Sequence, residues 1–179
     1  MTSILLYGAS GRAGTQIRAE AARRGLHVTP APRTSAPASP AAVTTADPAA
    51  DVAIRAVYGP DYDAVYVAGT HRLLADLERA GIPRLLVVGL ASVLPGPDGT
   101  PMFRSPDFPE EWRPFSEARA AELDILRAYE GPVDWALCVP PMTLVADESA
   151  GYTYAQLAKA LLDEATTPKH HREHYTLEP

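Results

Sequence analysis

The sequence predicts an α/β protein with a doubly wound parallel sheet, the Rossmann fold, in a single compact domain over residues 1–179. Short apolar runs alternate along the chain with amphipathic segments of helical period. The apolar runs are continuous, as in strands that are covered on both faces of a parallel sheet. A turn with three glycines joins the first apolar run to the first helical segment, which is the usual connection in a βαβ unit.

The predicted elements follow from apolar runs, helical spacing and turn residues. Gly25 and Gly81 each follow a helical pattern, as helix-terminating glycines do. Continuous apolar runs predict strands at 3–7, from 26–29 onward, and at 43–45, 63–68, 85–88, 133–139 and 175–177. Helical spacing predicts helices at 14–24, 49–58, 70–80, 115–129 and 154–165. Prolines mark loops in the segment from 30 to 48 and around 95–114.

Composition limits the function classes. Hydrophobic residues form 46% of the chain and charged residues 21%, as in globular proteins. The net charge of −6 argues against a nucleic-acid partner. Cys138 is the single cysteine, so we expect no disulfide framework, and residues 3–7 are too short an apolar run for a signal or membrane span. We therefore expect a cytoplasmic protein without a membrane partner.

A histidine-rich segment near the end of the chain invites a metal-site interpretation. His170 and His174 have the spacing of ligands on one helix face. The segment follows Pro168, however, and no inward-facing scaffold is evident around it. We interpret it as a solvated terminal segment and expect no metal.

The turn "GASGRAG" has the features of a phosphate-binding loop. Gly8 allows a tight turn, Gly11 allows close backbone approach to a pyrophosphate, and Gly14 allows the helix to pack near the strand. The helix N-terminus supplies N–H donors and a positive dipole, and the Ser10 hydroxyl adds a further donor. The sequence therefore predicts a dinucleotide site, the alternative being a turn that merely requires small residues.

Two arginines favour NADP(H) over NAD(H). Arg12 directly follows the second loop glycine, and Arg33 lies near the expected end of the second strand. No acidic residue stands at that strand end to bind a ribose 2′-hydroxyl. A guanidinium pairs well with a 2′-phosphate. The alternative for Arg12 is an ordinary exposed side chain.

Several stretches carry a family resemblance. "YGASGRAGTQI", "GIPRLLVVGLASVL", "SPDFPEEWRP" and "GPVDWALCVPP" resemble the NmrA-like, atypical short-chain dehydrogenase group of NAD(P)-binding proteins. This group includes small flavin reductase-like and biliverdin reductase-like members. The stretch "YTYAQLAKALLDEATTPKHHREHYTL" resembles the last helix and closing strand of that family. The resemblance implies an extended Rossmann fold, with the cofactor across the carboxyl ends of the strands.

The resemblance also implies roles for individual residues. It assigns Arg33 to the 2′-phosphate, Asp47 to the adenine side, and Ser92 to a substrate-facing hydroxyl. Ala68 and Gly69, at the end of the predicted fourth strand, match the small residues beneath the cofactor. The phosphate loop itself comprises Gly8, Ser10, Gly11, Arg12, Ala13 and Gly14.

The substrate side is less defined. We expect residues 93–114 and 140–179 to form the substrate side, and we expect the substrate to be a small molecule. Phe108, Trp112 and Met142 are candidates for an apolar pocket, or alternatively for ordinary packing. His71 is a candidate for orienting a substrate, or alternatively an exposed or capping residue.

The chain also departs from the family. In "HVTPAPR", Pro30 and Pro32 cannot donate to a sheet ladder, so a second strand in the sheet interior should end early. The segments after the predicted fourth and sixth strands are shorter than in the family, which leaves the extent of the pocket wall undecided.

The Tyr-x-x-x-Lys pair of many short-chain dehydrogenases is missing. Tyr154 and Lys159 are five residues apart, and Phe115 with Arg119 keeps the spacing but lacks the phenol. We interpret that spacing as coincidental.

Three functions therefore remain open. The first is an NADPH-dependent oxidoreductase that transfers hydride to a small conjugated substrate of flavin, quinone or enone type. The second is an NAD(P)-binding sensor without turnover. The third is a cofactor-independent isomerase or cyclase. A homodimer is also left open.

Overall fold

The computed structural model of the protein describes residues 2–31, 50–145 and 151–178. Within these ranges, six parallel strands form one sheet in the order β2-β1-β3-β4-β5-β6. The strands are β1 (Ser3–Tyr7), β2 (His27–Pro30), β3 (Val52–Arg55), β4 (Arg84–Val88), β5 (Asp134–Val139) and β6 (Glu173–Thr176). The helices are α1 (Arg12–Arg23), α2 (Gly69–Ala80), α3 (Arg113–Ala128) and α4 (Tyr154–Thr166). The α/β doubly wound fold that the sequence predicts is confirmed.

Helices cover both faces of the sheet. Apolar residues of α1 and α4 form one core, and those of α2 and α3 form the other. Successive β4 residues alternate between the two cores: Leu86 belongs to the first, and Leu85 and Val87 belong to the second. This two-sided burial explains why the strand sequences are continuously apolar.

Two predicted elements are wrong, and both errors concern short apolar runs. Within 49–58, predicted as helix, lies strand β3, whose four residues are all buried between β1 and β4. Asp63–Ala68, predicted as a strand, forms a wide helical turn with i→i+5 geometry that continues into α2. Its only buried residue is Tyr66, so one face packs inward as a helix requires. The predicted strand at 43–45 lies outside the described residues.

Strand β2 accommodates its proline at a sheet edge. Among the described residues it pairs only with β1, so the expected interior position is not observed there. Pro30 lies opposite Leu6, and the next N–H, that of Ala31, donates to the Leu6 carbonyl at 2.9 Å. An edge strand tolerates the missing donor.

The end of the chain is structured. The predicted strand at 175–177 is present as β6, shifted toward the N-terminus and paired in parallel with β5. Residues 171–173 are exposed, as predicted for a solvated segment, but the segment is not a loose tail, because it leads into β6 and the His170 ring stacks on Tyr175 with centroids 3.9 Å apart. The described residues contain no cluster of metal-ligating side chains.

Candidate functional site: a cleft at the carboxyl ends of the strands

A cleft of about 1010 Å³ opens at the carboxyl ends of β1 to β4. It extends from the end of β2, across the glycine turn, to the end of β4. Its lining consists of Tyr7, Gly8, Ala9, Ser10, Gly11, Arg12, Ala13, Arg18, Pro30, Ala31, Ala56, Val57, Tyr58, Val88, Gly89, Arg119, Leu144, Tyr154 and Leu157. Most of the predicted phosphate-loop residues are therefore together in one concave surface.

The loop glycines are required by close backbone packing. Gly8 has a φ of +83°, and a Cβ there would lie 2.1 Å from the Ala56 carbonyl oxygen. A Cβ on Gly14 would lie 2.1 Å from the Gly8 carbonyl oxygen, so Gly14 seats α1 directly against the turn. These contacts give Gly8 and Gly14 the roles that the motif predicts.

The N-terminus of α1 is suited to an anion. Gly11 occupies the N-cap, no side chain caps the helix, and its first turn contains no acidic residue. The N–H groups of the first turn therefore have no side-chain acceptor at the point where the loop borders the cleft. Such a terminus fits a pyrophosphate through donors and helix dipole together.

Two arginines of α1, Arg12 and Arg18, border the cleft. The Arg12 guanidinium lies 5.6 Å from the centre of the Tyr154 ring. Arg18, six residues further along α1, lines the same cleft. Neither arginine forms an ion pair within the described part of the chain. Arg33 and Asp47 lie outside the described residues.

A buried charge cluster stands behind the other end of the cleft. Arg55, the last residue of β3, bonds to Glu122 and donates to the Thr70 hydroxyl at 2.9 Å. Arg119 forms an ion pair with the other Glu122 carboxylate oxygen and donates to the Val88 carbonyl. All three charged side chains are buried. Burial lowers the pKa of Arg55 to about 9 and that of Arg119 to about 10, so both remain charged at neutral pH.

Aromatic rings form the wall beside this cluster. Tyr58 lines the cleft and is 72% exposed. Its ring meets Phe115 edge-on at 5.7 Å, and Phe115 in turn contacts Tyr62 at 5.2 Å and Tyr66 at 5.5 Å. Tyr66 is buried with its ring 4.7 Å from the Arg119 guanidinium. The exposed Tyr58 ring therefore packs on the partly buried Phe115 ring, which in turn contacts the buried Tyr66.

Tyr7 contributes a neutral hydroxyl to the cleft. Burial, together with the nearby charge of Asp76, raises the pKa of Tyr7 to about 12. The phenol therefore stays protonated across the physiological range and can act as a hydrogen-bond donor.

Ala68 and Gly69 are not at a strand end. They lie where the wide helical turn meets α2, and neither lines the cleft. A Cβ on Gly69 would lie 3.0 Å from the Ala64 carbonyl oxygen and 3.4 Å from an Arg55 nitrogen, so its tightest contact is with the backbone of the preceding helical turn. Ala56, directly after β3, holds the strand-end position, and sequence reasoning missed it because β3 was assigned as helix.

The remaining candidates lie apart from the cleft lining. Ser92 is buried, and its hydroxyl lies 2.8 Å from that of Ser116. His71 is exposed on α2, Phe108 is half-buried, and Trp112 and Met142 are each 58% exposed. Their proposed roles stay predictions.

The parallel sheet, the helices on both of its faces and the glycine-loop cleft define a protein of the Rossmann-fold class. The chain is 27% identical, over 96% of both chains, to the uncharacterized protein YwnB of Bacillus subtilis. No protein-family model matches it. No helix within the described ranges is long and apolar enough to cross a membrane.

Solved structures give a consistent result. A provisionally named NADH-flavin reductase from Streptococcus pneumoniae has a TM-score of 0.77 and 25% identity, with both chains fully covered. A provisionally named epimerase from Bacteroides thetaiotaomicron has a TM-score of 0.79 and 26% identity, covering 99% of this chain and 98% of that one. The anaerobilin reductase ChuY of Escherichia coli O157:H7, at 19% identity and a TM-score of 0.69, shares the fold over 99% of this chain and 100% of its own. The resemblance to the atypical short-chain dehydrogenase group of small reductases is thereby confirmed.

Proposed function

We propose that this protein is an NADPH-dependent oxidoreductase that transfers hydride to a small, flat, conjugated substrate. The observation that carries the proposal is the single cleft that joins the glycine loop to the ends of β3 and β4. The similarity to a provisionally named NADH-flavin reductase supports the same class of reaction. The choice of NADPH and of a conjugated substrate rests on this chain's own residues.

The phosphate end of the cleft carries the cofactor preference. In this proposal the first turn of α1 binds the pyrophosphate, and Arg12 and Arg18 bind the 2′-phosphate beside the end of β2. Neither guanidinium is engaged by a described carboxylate, so binding a phosphate breaks no ion pair there. NADH lacks that phosphate and gains nothing from either arginine.

The opposite end suits a flat acceptor. The cleft floor after β3 and β4 is formed by residues without long side chains, namely Ala56, Val57 and Gly89. Beside them, Tyr58 offers an exposed ring for stacking. The bound cofactor supplies the hydride, and the protein supplies position and electrostatics. Because a conjugated acceptor can take its proton from water, the reaction does not require the missing Tyr-x-x-x-Lys pair.

Calorimetric titration with NADPH and NADH tests the cofactor assignment. We expect the Arg12→Ala/Arg18→Ala variant to bind NADPH roughly ten- to a hundredfold more weakly, with NADH affinity unchanged. Arg23→Ala is the matched control, because Arg23 lies on the same helix but outside the cleft and is paired with Glu20. Arg33→Ala tests the sequence-based assignment in parallel. An equal loss for both nucleotides would contradict the 2′-phosphate assignment.

A sensor without turnover is the second candidate, favoured by the missing Tyr-x-x-x-Lys pair. Oxidation of NADPH in the presence of FMN or menadione distinguishes the two. Turnover supports the reductase, and tight nucleotide binding without turnover supports the sensor. Absence of binding by either nucleotide would leave a cofactor-independent enzyme as the better interpretation.

A further inference from the structure

The charge cluster behind the cleft has more cations than anions. Arg55 and Arg119 share one carboxylate, that of Glu122, which is fully buried. Asp76, the other buried carboxylate near Tyr7, is paired with Arg79 on its own helix at 2.7 Å. The cluster therefore carries one positive charge that no described side chain balances. Because burying a charge without a partner costs free energy, the place where this charge meets the surface indicates where an anionic ligand would bind.

The unbalanced charge faces the cleft through Arg119. Of the three clustered residues, only Arg119 lines the cleft, although it is just 5% exposed. Its described bonds go to the Val88 carbonyl and the Glu122 carboxylate, which leaves other N–H donors of the guanidinium for a ligand. Two contacts hold the group in place: the Tyr66 ring at 4.7 Å and the end of β4. It is a cation held in place on the same cleft as the exposed ring of Tyr58, to which it is linked through the Tyr66 and Phe115 rings.

We propose that the substrate is an anion, and that Arg119 binds its carboxylate or an equally acidic oxygen while Tyr58 stacks on its ring system. This inference rests on the proposed function, because it specifies the substrate class of the same cleft. The spacing of Phe115 and Arg119, coincidental as a trace of the Tyr-x-x-x-Lys pair, then has a physical meaning of its own. Phe115 supports Tyr58, and Arg119 supplies the charge.

Two matched probes test the proposal by binding alone. 2-Naphthoate and 2-naphthamide share a flat ring and differ in charge, and neither is a ready hydride acceptor. Each is titrated calorimetrically into the whole protein, with and without saturating NADPH. We expect the carboxylate to bind roughly ten- to a hundredfold more tightly than the amide. Arg119→Met should abolish that preference, so that the carboxylate and the amide bind with similar affinity.

Arg119→Met is expected to fold, because it leaves Arg55 and Glu122 as a neutral pair. Arg119→Lys provides a second variant, which keeps the charge and should keep part of the preference. Arg127→Met is the control, since Arg127 is an exposed arginine on the same helix. Equal affinity for the two probes, or failure of the carboxylate to bind, overturns the anionic substrate. Absence of NADPH binding instead overturns the proposed function, so the two failures are distinguishable.

Discussion

The two ends of the parallel sheet both bury arginines, but they balance them in opposite ways. At the amino ends of β4 and β5, Arg84 meets two carboxylates, those of Glu164 and Asp134. At the carboxyl ends of β3 and β4, Arg55 and Arg119 share Glu122. The cluster at the amino ends therefore has one more carboxylate than arginines, and the cluster at the carboxyl ends has one more arginine than carboxylates.

The amino end uses its extra carboxylate to attach the end of the chain. Glu164 accepts backbone N–H bonds from Lys169 at 2.9 Å and from His170 at 3.0 Å, and its second oxygen lies 2.8 Å from the His170 ring. Arg84 also donates to the His170 carbonyl at 2.9 Å. These bonds fix the segment before β6 against α4 and β4. The cluster holds structure together, whereas the cluster at the opposite end borders a cleft.

The largest effect should come from removing the shared carboxylate at the carboxyl end. Glu122→Gln leaves Arg55 and Arg119 buried together without a counter-charge. We expect the free energy of unfolding to fall by about 3–5 kcal/mol, measured by urea denaturation. Glu117→Gln, at an exposed position on the same helix, should change it by less than about 0.5 kcal/mol. If Glu122→Gln lowered the free energy of unfolding no more than Glu117→Gln, the assignment of an unbalanced positive charge to this end would be wrong.

A smaller effect should come from filling the glycine contact beneath the cleft. The Cβ of Gly14→Ala would lie 2.1 Å from a backbone carbonyl oxygen, so α1 must move. We expect a loss of about 1–3 kcal/mol in stability and at least about tenfold weaker NADPH binding, measured by denaturation and calorimetry. Gly96→Ala is the control, because the added Cβ would lie 3.5 Å from the Thr100 carbonyl oxygen, an ordinary contact distance. Unchanged NADPH affinity would show that the close packing of α1 against the glycine turn does not determine cofactor binding.

The contrast between the two ends was only partly predictable from sequence. The glycine loop was predictable because its backbone requirements depend on local spacing. The charge clusters were not, because Arg55 and Glu122 are 67 residues apart and Arg84 and Glu164 are 80 apart. Helix and strand were confused in two short apolar runs, in which periodicity cannot separate the two. All four residues of β3 are buried, so this strand shows no alternation of apolar and polar residues. The run at 63–68 is as apolar as a strand, although it is helical and buries only Tyr66.

The smallest expected effect is a pH dependence at the amino end. Burial alone would raise the pKa of Glu164, but N–H donation from His170 and Lys169 outweighs it and holds the pKa below its ordinary value of 4.5. A carboxyl with a lowered folded pKa contributes stability above its unfolded pKa and loses it as the pH falls through the folded pKa. The wild-type protein should therefore lose more stability between pH 6 and pH 3 than Glu164→Gln, by roughly 1 kcal/mol, in urea denaturation at each pH. Asp163→Asn, at an exposed position on the same helix, should keep the wild-type pH dependence. Identical pH profiles for the wild-type protein and Glu164→Gln would mean that the carboxylate is not what attaches the end of the chain, and the contrast between the two ends would then rest on Arg55, Arg119 and Glu122 alone.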